Sequence, residues 1–144
     1  MRRAGAFAGS LVLAITLAGC GSSAKSHYIS KLNKMCEDFA RREQVIGTPT
    51  TPADLKTRGD RIVAAYEQSI VKPIERLKAP PEIADQAAEL RRIARQQLNA
   101  LGALATAGKA GDVARVQRLA TINQQLNRQA AQIARALKAD SCAS

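Results

Sequence analysis

Asp112-Val113-Ala114-Arg115-Val116-Gln117-Arg118-Leu119-Ala120-Thr121-Ile122-Asn123-Gln124-Gln125-Leu126-Asn127-Arg128-Gln129-Ala130-Ala131-Gln132-Ile133-Ala134-Arg135-Ala136-Leu137 is the stretch that decides the fold. Its apolar positions are Val113, Val116, Leu119, Ile122, Leu126, Ala130, Ile133 and Leu137. They recur every three or four residues, which lines them along one face of a helix and along neither face of a strand. Asp112 suits the N-cap, where a short carboxylate accepts a backbone N–H of the first turn. The polar run Asn123-Gln124-Gln125, then Asn127, Arg128, Gln129 and Gln132, reads as the solvent side of this helix. Its other reading is an exposed face for a partner. An amphipathic helix draws most of its stability from packing its apolar stripe, so the rest of the chain must supply partners.

Working back from Asp112, Gly108-Lys109-Ala110-Gly111 predicts a turn. Before it, Ile83, Ala87, Leu90, Ile93/Ala94, Leu98, Leu101 and Leu104 form a second helical stripe. Ala79-Pro80-Pro81 bounds that helix, because proline lacks a backbone donor and restricts the residue before it. A third stripe runs through Leu55, Ile62/Val63, Tyr66, Ile70, Ile74 and Leu77, with Pro73 inside it. Pro73 predicts a kink or a break near Val71-Lys72. Gly47-Thr48-Pro49-Thr50-Thr51-Pro52 is a loop, in which Thr51 is the expected N-cap and Pro52 the first helical residue. The earliest stripe is Tyr28/Ile29, Leu32, Met35/Cys36, Phe39 and Ile46. Asp140-Ser141-Cys142 is expected as a non-helical tail. Four amphipathic segments with short connections predict an all-α chain, an antiparallel up-down-up-down four-helix bundle over residues 27–144. Ala at many stripe positions allows close helix approach but buries little area.

The N-terminus predicts export. Met1-Arg2-Arg3 is positive, Ala4 to Ala18 is uncharged and mostly apolar, and Leu17-Ala18-Gly19-Cys20 closes the segment. Positive, apolar and small-residue regions in that order read as a secretory signal peptide over residues 1–19. The tetrapeptide resembles the lipobox of bacterial lipoproteins at all four positions. That resemblance implies a diacylglycerol on the Cys20 thiol and cleavage between Gly19 and Cys20. More than one acyl chain is needed for a stable hold, since each buried CH₂ contributes roughly 0.8 kcal/mol. Residues 21–26 then act as a polar tether, and the chain is expected at the outer face of the cell membrane. The competing reading is an uncleaved span, because Ala4 to Ala24 is 21 residues without a charge. Gly19, Gly21, Ser22 and Ser23 weaken its end. Arg2-Arg3 lacks the flanking residues of a twin-arginine signal.

Composition narrows the partners. The 144-residue chain has a net charge of +10, and losing Arg2 and Arg3 with the signal leaves +8. Outside the membrane, a basic surface meets anionic lipid head groups and acidic cell-wall polymers. The charge is dispersed, so solvated helix faces explain it as well. An exported chain without a nucleic-acid-binding motif is not expected to meet nucleic acid. With Cys20 committed to lipid, Cys36 and Cys142 remain as an even pair in an oxidising compartment, which predicts a structural disulfide. Two isolated thiols without a CxxC or a neighbouring His make a poor metal set.

Tyr28-Ile29 followed by Cys36, Leu77-Lys78-Ala79-Pro80-Pro81, Ala110-Gly111-Asp112 and the terminal Asp140-Ser141-Cys142 are together similar to a group of small secreted lipoproteins of actinobacteria. The resemblance implies a helical bundle with a disulfide from first helix to C-terminus. It brings no activity and no catalytic residues. The chain departs from the group in lacking a Gly before the terminal Cys segment.

No catalytic constellation is legible. His27 is the only histidine and sits where the tether meets the first helix. Asp38 with Arg41 or Arg42, and Asp54 with Arg58, have the spacing of helix ion pairs worth a few tenths of a kcal/mol, about 0.2–0.5 each. Gly108-Lys109 lacks the rest of a phosphate-binding loop. No cofactor or metal is expected, and an enzyme is the weakest reading. Two readings stand: an envelope interaction or structural module, and a binding protein for a small or lipidic ligand held between helices. A roomy apolar cavity, for instance near Pro73, separates the second from the first.

Overall fold

The computed structural model describes residues 20–143; the expected signal peptide, residues 1–19, lies outside them. Helix α1 spans Cys20–Ile46 and ends at Gly47, whose φ of +82° turns the chain and whose N–H donates to the Glu43 carbonyl at 2.8 Å. Thr51 caps α2 (Pro52–Tyr66) as its sequence predicts. The Thr51 hydroxyl accepts from the Asp54 N–H at 3.1 Å, and the Asp54 carboxylate accepts from the Thr51 N–H at 3.1 Å. This reciprocal box satisfies donors that the first turn leaves unpaired. The Asp54 carboxylate also accepts from the Thr51 hydroxyl at 2.8 Å, and that bond comes first in holding its pKa below the usual carboxylate value.

Pro73 neither breaks nor ends this helix. A π-helical turn, Glu67–Val71, follows α2 directly and leads into α3 (Lys72–Arg76). Proline removes a donor and its ring crowds the carbonyl four residues back. The wide turn relieves that crowding, and the Lys72 N–H reaches back five residues to the Glu67 carbonyl. The chain therefore stays helical from Pro52 to Arg76. Leu77 is extended, and Pro80 keeps the chain out of helix until a 3₁₀ turn at Pro81–Ile83 opens α4 (Ala84–Ala110). Helix α5 (Val113–Leu137) is capped by Asp112, which accepts from the Arg115 N–H at 2.9 Å. Among the described residues all regular structure is helical and no strand occurs.

Three expectations are corrected. The first helix, expected to follow the polar segment 21–26, instead includes it, since α1 reaches back to Cys20. Once the turn around Tyr28 and Leu32 is packed, extending a helix adds one hydrogen bond per residue fixed. The turn expected over Gly108–Gly111 shrinks to Gly111 and Asp112; only Gly111 has a positive φ, +69°. Gly108 is helical for a packing reason. A Cβ there would lie 2.5 Å from the Leu55 Cβ, just as one on Gly59 would lie 2.8 Å from the Ala105 Cβ. Two glycines, one on each helix, thus let α2 and α4 approach closely. The tail is the third case: Asp140–Cys142 forms a 3₁₀ turn.

The main core gathers Tyr28 and Leu32 of α1, Tyr66, Val71 and Ile74, Ala87 and Leu90 of α4, and Ala134 and Leu137 of α5. Smaller clusters continue along the α4–α5 seam at Ile93, Ala100 and Leu126, and at Leu104, Ala107 and Val116. Helix α4 packs on both α2 and α5, whereas α1 rests mainly on α2, the π turn and the C-terminal turn. Among the described residues no helix is long and apolar enough to cross a membrane.

The seam predicts opposite outcomes for the same substitution. Gly102 has open space around its would-be Cβ, so Gly102→Ala should stabilise by about 0.5–1 kcal/mol through helix propensity. Gly108→Ala should destabilise by about 1–3 kcal/mol, because the new methyl meets Leu55 at its Cβ and helices must shift. Urea unfolding of both variants checks the difference; equal stability would mean a looser seam.

Candidate functional site

Four helices present helical-spaced side chains to one interior space. Helix α1 contributes Leu32, Met35, Cys36, Phe39 and Glu43; the α2–π–α3 rod contributes Tyr66, Ile70 and Ile74. Helix α4 adds Leu90, Ala94 and Gln97, and α5 adds Asn127, Ala130 and Ala134. The three alanines matter most. At these positions a larger aliphatic side chain would fill the interior, and alanine leaves it open. The result is a cavity of about 310 Å³. By helical rise the lining face runs roughly 16 Å along α1 and roughly 10 Å along α5, so the space is elongated. Ala40 and Asn127 are exposed lining residues on α1 and α5, and the cavity opens to solvent between those helices.

Its two ends differ. At one, Cys36 and Cys142 have their Cα atoms 5.3 Å apart and their sulfurs at disulfide distance, across a sequence separation of 106. Beside them the Ser141 N–H donates to Asn33 Oδ1 at 3.1 Å, and the Ser141 hydroxyl donates to Glu37 at 2.9 Å. At the other end is a polar chain that runs from two buried residues, Tyr66 and Gln97, to the exposed Asn127. The Tyr66 hydroxyl donates to Gln97 Oε1 at 2.6 Å, and Gln97 Nε2 donates to Asn127 Oδ1. Burial pushes the Tyr66 phenol up, so it stays neutral through the physiological range. Phe39 meets the Tyr66 ring edge-on, with centroids 5.2 Å apart. Glu43 lies one turn beyond Phe39 and accepts from the Thr48 hydroxyl at 3.3 Å. Among the described residues no Lys, Arg or His lines the cavity.

The residues singled out from sequence fall in different places. Cys36 and Cys142 meet, and both line the cavity. Cys20 begins α1. His27 is exposed on α1. Asp38 pairs with Arg41, while Arg42 reaches Gln68 at 3.3 Å, and Asp54 pairs with Arg58 at 3.8 Å. The polar run on α5 divides. Gln124, Gln125, Arg128, Gln129 and Gln132 are exposed, but Asn127 turns to Gln97 and the Asn123 Oδ1 is buried without a partner. Tyr66, Gln97 and Asn127 were not legible as a group. One signal did exist: Gln97 falls in register with Leu90, Ala94 and Leu101, a polar side chain on an apolar stripe.

The Cys36–Cys142 tie predicts a stability effect. Closing a loop of this length constrains the unfolded chain, so Cys36→Ser with Cys142→Ser should cost about 2–5 kcal/mol. Thermal melts with and without reductant, beside thiol alkylation of the native protein, check it. Freely alkylated thiols and an unchanged melt would contradict it. In comparisons with known proteins, no family model matches the chain, and no curated protein or solved structure resembles it at a significant level.

Proposed function

We propose that this chain is a lipoprotein of the bacterial cell envelope, anchored through Cys20, whose helical domain binds a small apolar ligand between its helices. The cavity of about 310 Å³ is the observation that favours binding. It sits at the lower end of the size of small-molecule sites, which are concave, largely apolar and furnished with a few polar groups. The Tyr66–Gln97–Asn127 chain is such a group. The anchor rests on Leu17-Ala18-Gly19-Cys20 and the signal-like residues before it. In an oxidising compartment the Cys36–Cys142 pair is a disulfide.

An antiparallel up-down-up-down order is the bundle arrangement this reading adopts. Its support is the descending series of α4 partners along the α2 rod: Leu55 with Gly108, Gly59 with Ala105, Tyr66 with Gln97, and Glu75 with Arg95 at 2.8 Å. A second reading, an interaction module for anionic lipid head groups or acidic wall polymers, draws on α5. Arg115, Arg118, Arg128 and Arg135 are exposed there, and no acidic residue occurs from Val113 to Leu137. No catalytic role is assigned to any residue.

Two measurements test the proposal. Mass spectrometry of protein extracted from membranes should find Cys20 as an acylated N-terminus; an intact Met1 or an unmodified Cys20 would refute the anchor. For the cavity, Nile red added to the unacylated mature chain (Cys20→Ser) should bind one to one and fluoresce. Ala130→Leu, which fills the space, should weaken that binding at least tenfold, about 1.4 kcal/mol. Undiminished binding would place the dye elsewhere.

A further inference from the structure

We infer that the cavity selects against anionic ligands and takes a single-chain amphiphile whose head is uncharged or cationic. This rests on the reading of the cavity as a binding site and names the class of ligand. The shape comes first. An elongated, mainly apolar slot between Leu32 at one end and Tyr66 at the other fits one extended chain better than a fused or branched body.

The head-group preference follows from what lines the ends. A carboxylate or phosphate taken out of water needs a cation or several converging N–H groups to offset its lost hydration. Among the described residues no lining residue is a cation. The only charged lining side chain among them is Glu43, and Ser141 at the opposite end donates its hydroxyl to Glu37. An anion at either end therefore meets a carboxylate nearby. The polar chain has uncommitted capacity of a neutral kind. The Tyr66 proton goes to Gln97, which leaves the Tyr66 oxygen as an acceptor, and Asn127 accepts from Gln97, which leaves its amide N–H groups as donors. A hydroxyl both donates and accepts, so it suits this end. An ammonium gains Glu43 as well.

The protein's overall charge makes the inference discriminating. At +8 for residues 20–144, the whole molecule attracts anions at long range. Exposed charges are screened beyond about 8–10 Å at physiological salt, whereas Glu43 acts at contact distance. Net charge thus predicts a preference for anionic amphiphiles, and the cavity lining predicts the reverse.

Three C12 ligands with one chain and different heads separate the two. Dodecanol, dodecylamine and dodecanoate are titrated below their micelle-forming concentrations into the oxidised, unacylated mature chain at pH 7.5, with Nile red displacement as readout. Dodecanol and dodecylamine should each bind about tenfold or more tighter than dodecanoate. Glu43→Gln should improve dodecanoate and weaken dodecylamine, and should leave dodecanol within about twofold. Dodecanoate binding as tightly as dodecanol in the wild type overturns the inference while leaving the cavity a binding site. Failure of all three to displace the dye overturns the cavity reading itself, and this inference falls with it.

Discussion

The C-terminal turn holds α1 to the rest of the molecule, and the site depends on that hold. Helix α1 rests mainly on α2, the π turn and the C-terminal turn. Three links act there together: Cys36 with Cys142, Asn33 with the Ser141 N–H, and Glu37 with the Ser141 hydroxyl. Each joins α1 to residues just beyond α5. They hold α1 beside α5 around the cavity, next to the core that Tyr28 and Leu32 share with Ala134 and Leu137.

Small residues act in two opposite ways in this bundle, and what decides between them is the distance already set by other contacts. Along the α2–α4 seam, Gly59 and Gly108 let backbones close until Ala105 and Leu55 fill the space. On the side facing α1, Ala94, Ala130 and Ala134 are also small, and they line the cavity. Tyr28 and Leu32, both fully or nearly buried, act as spacers together with the Phe39–Tyr66 pair. Two of the chain's few aromatics, Phe39 and Tyr66, thus stand in the wall of the cavity.

Much of the fold is legible in the sequence because it is local. The stripe from Val113 to Leu137, the Thr51–Asp54 box, Asp112 and Pro80 each act through neighbours three or four residues away. Pro73 marks the right place, but the choice between a kink, a break and a π turn depends on packing around Val71 and Ile74. Gly108 misleads for the same reason: glycine suits both a turn and a close approach, and only Leu55, 53 positions away, distinguishes them. The site is least legible. Its space is left by alanines among larger apolar walls, which signal nothing individually, and its polar chain joins Tyr66, Gln97 and Asn127 from three helices. The cysteine pair is the exception: with Cys20 set aside as the expected lipid site, Cys36 and Cys142 leave one intramolecular pairing.

Amide hydrogen exchange on residues 20–144 carrying Cys20→Ser, with and without dodecanol, tests whether the space between α1 and α5 is a binding site. Exchange reports local opening, and a ligand held between two helices should slow it on both. Exchange should slow over residues 32–43 and 127–134, with no change over residues 113–119 of the same helix α5. Equal exchange in both conditions, or slowing spread evenly along α5, would contradict binding there.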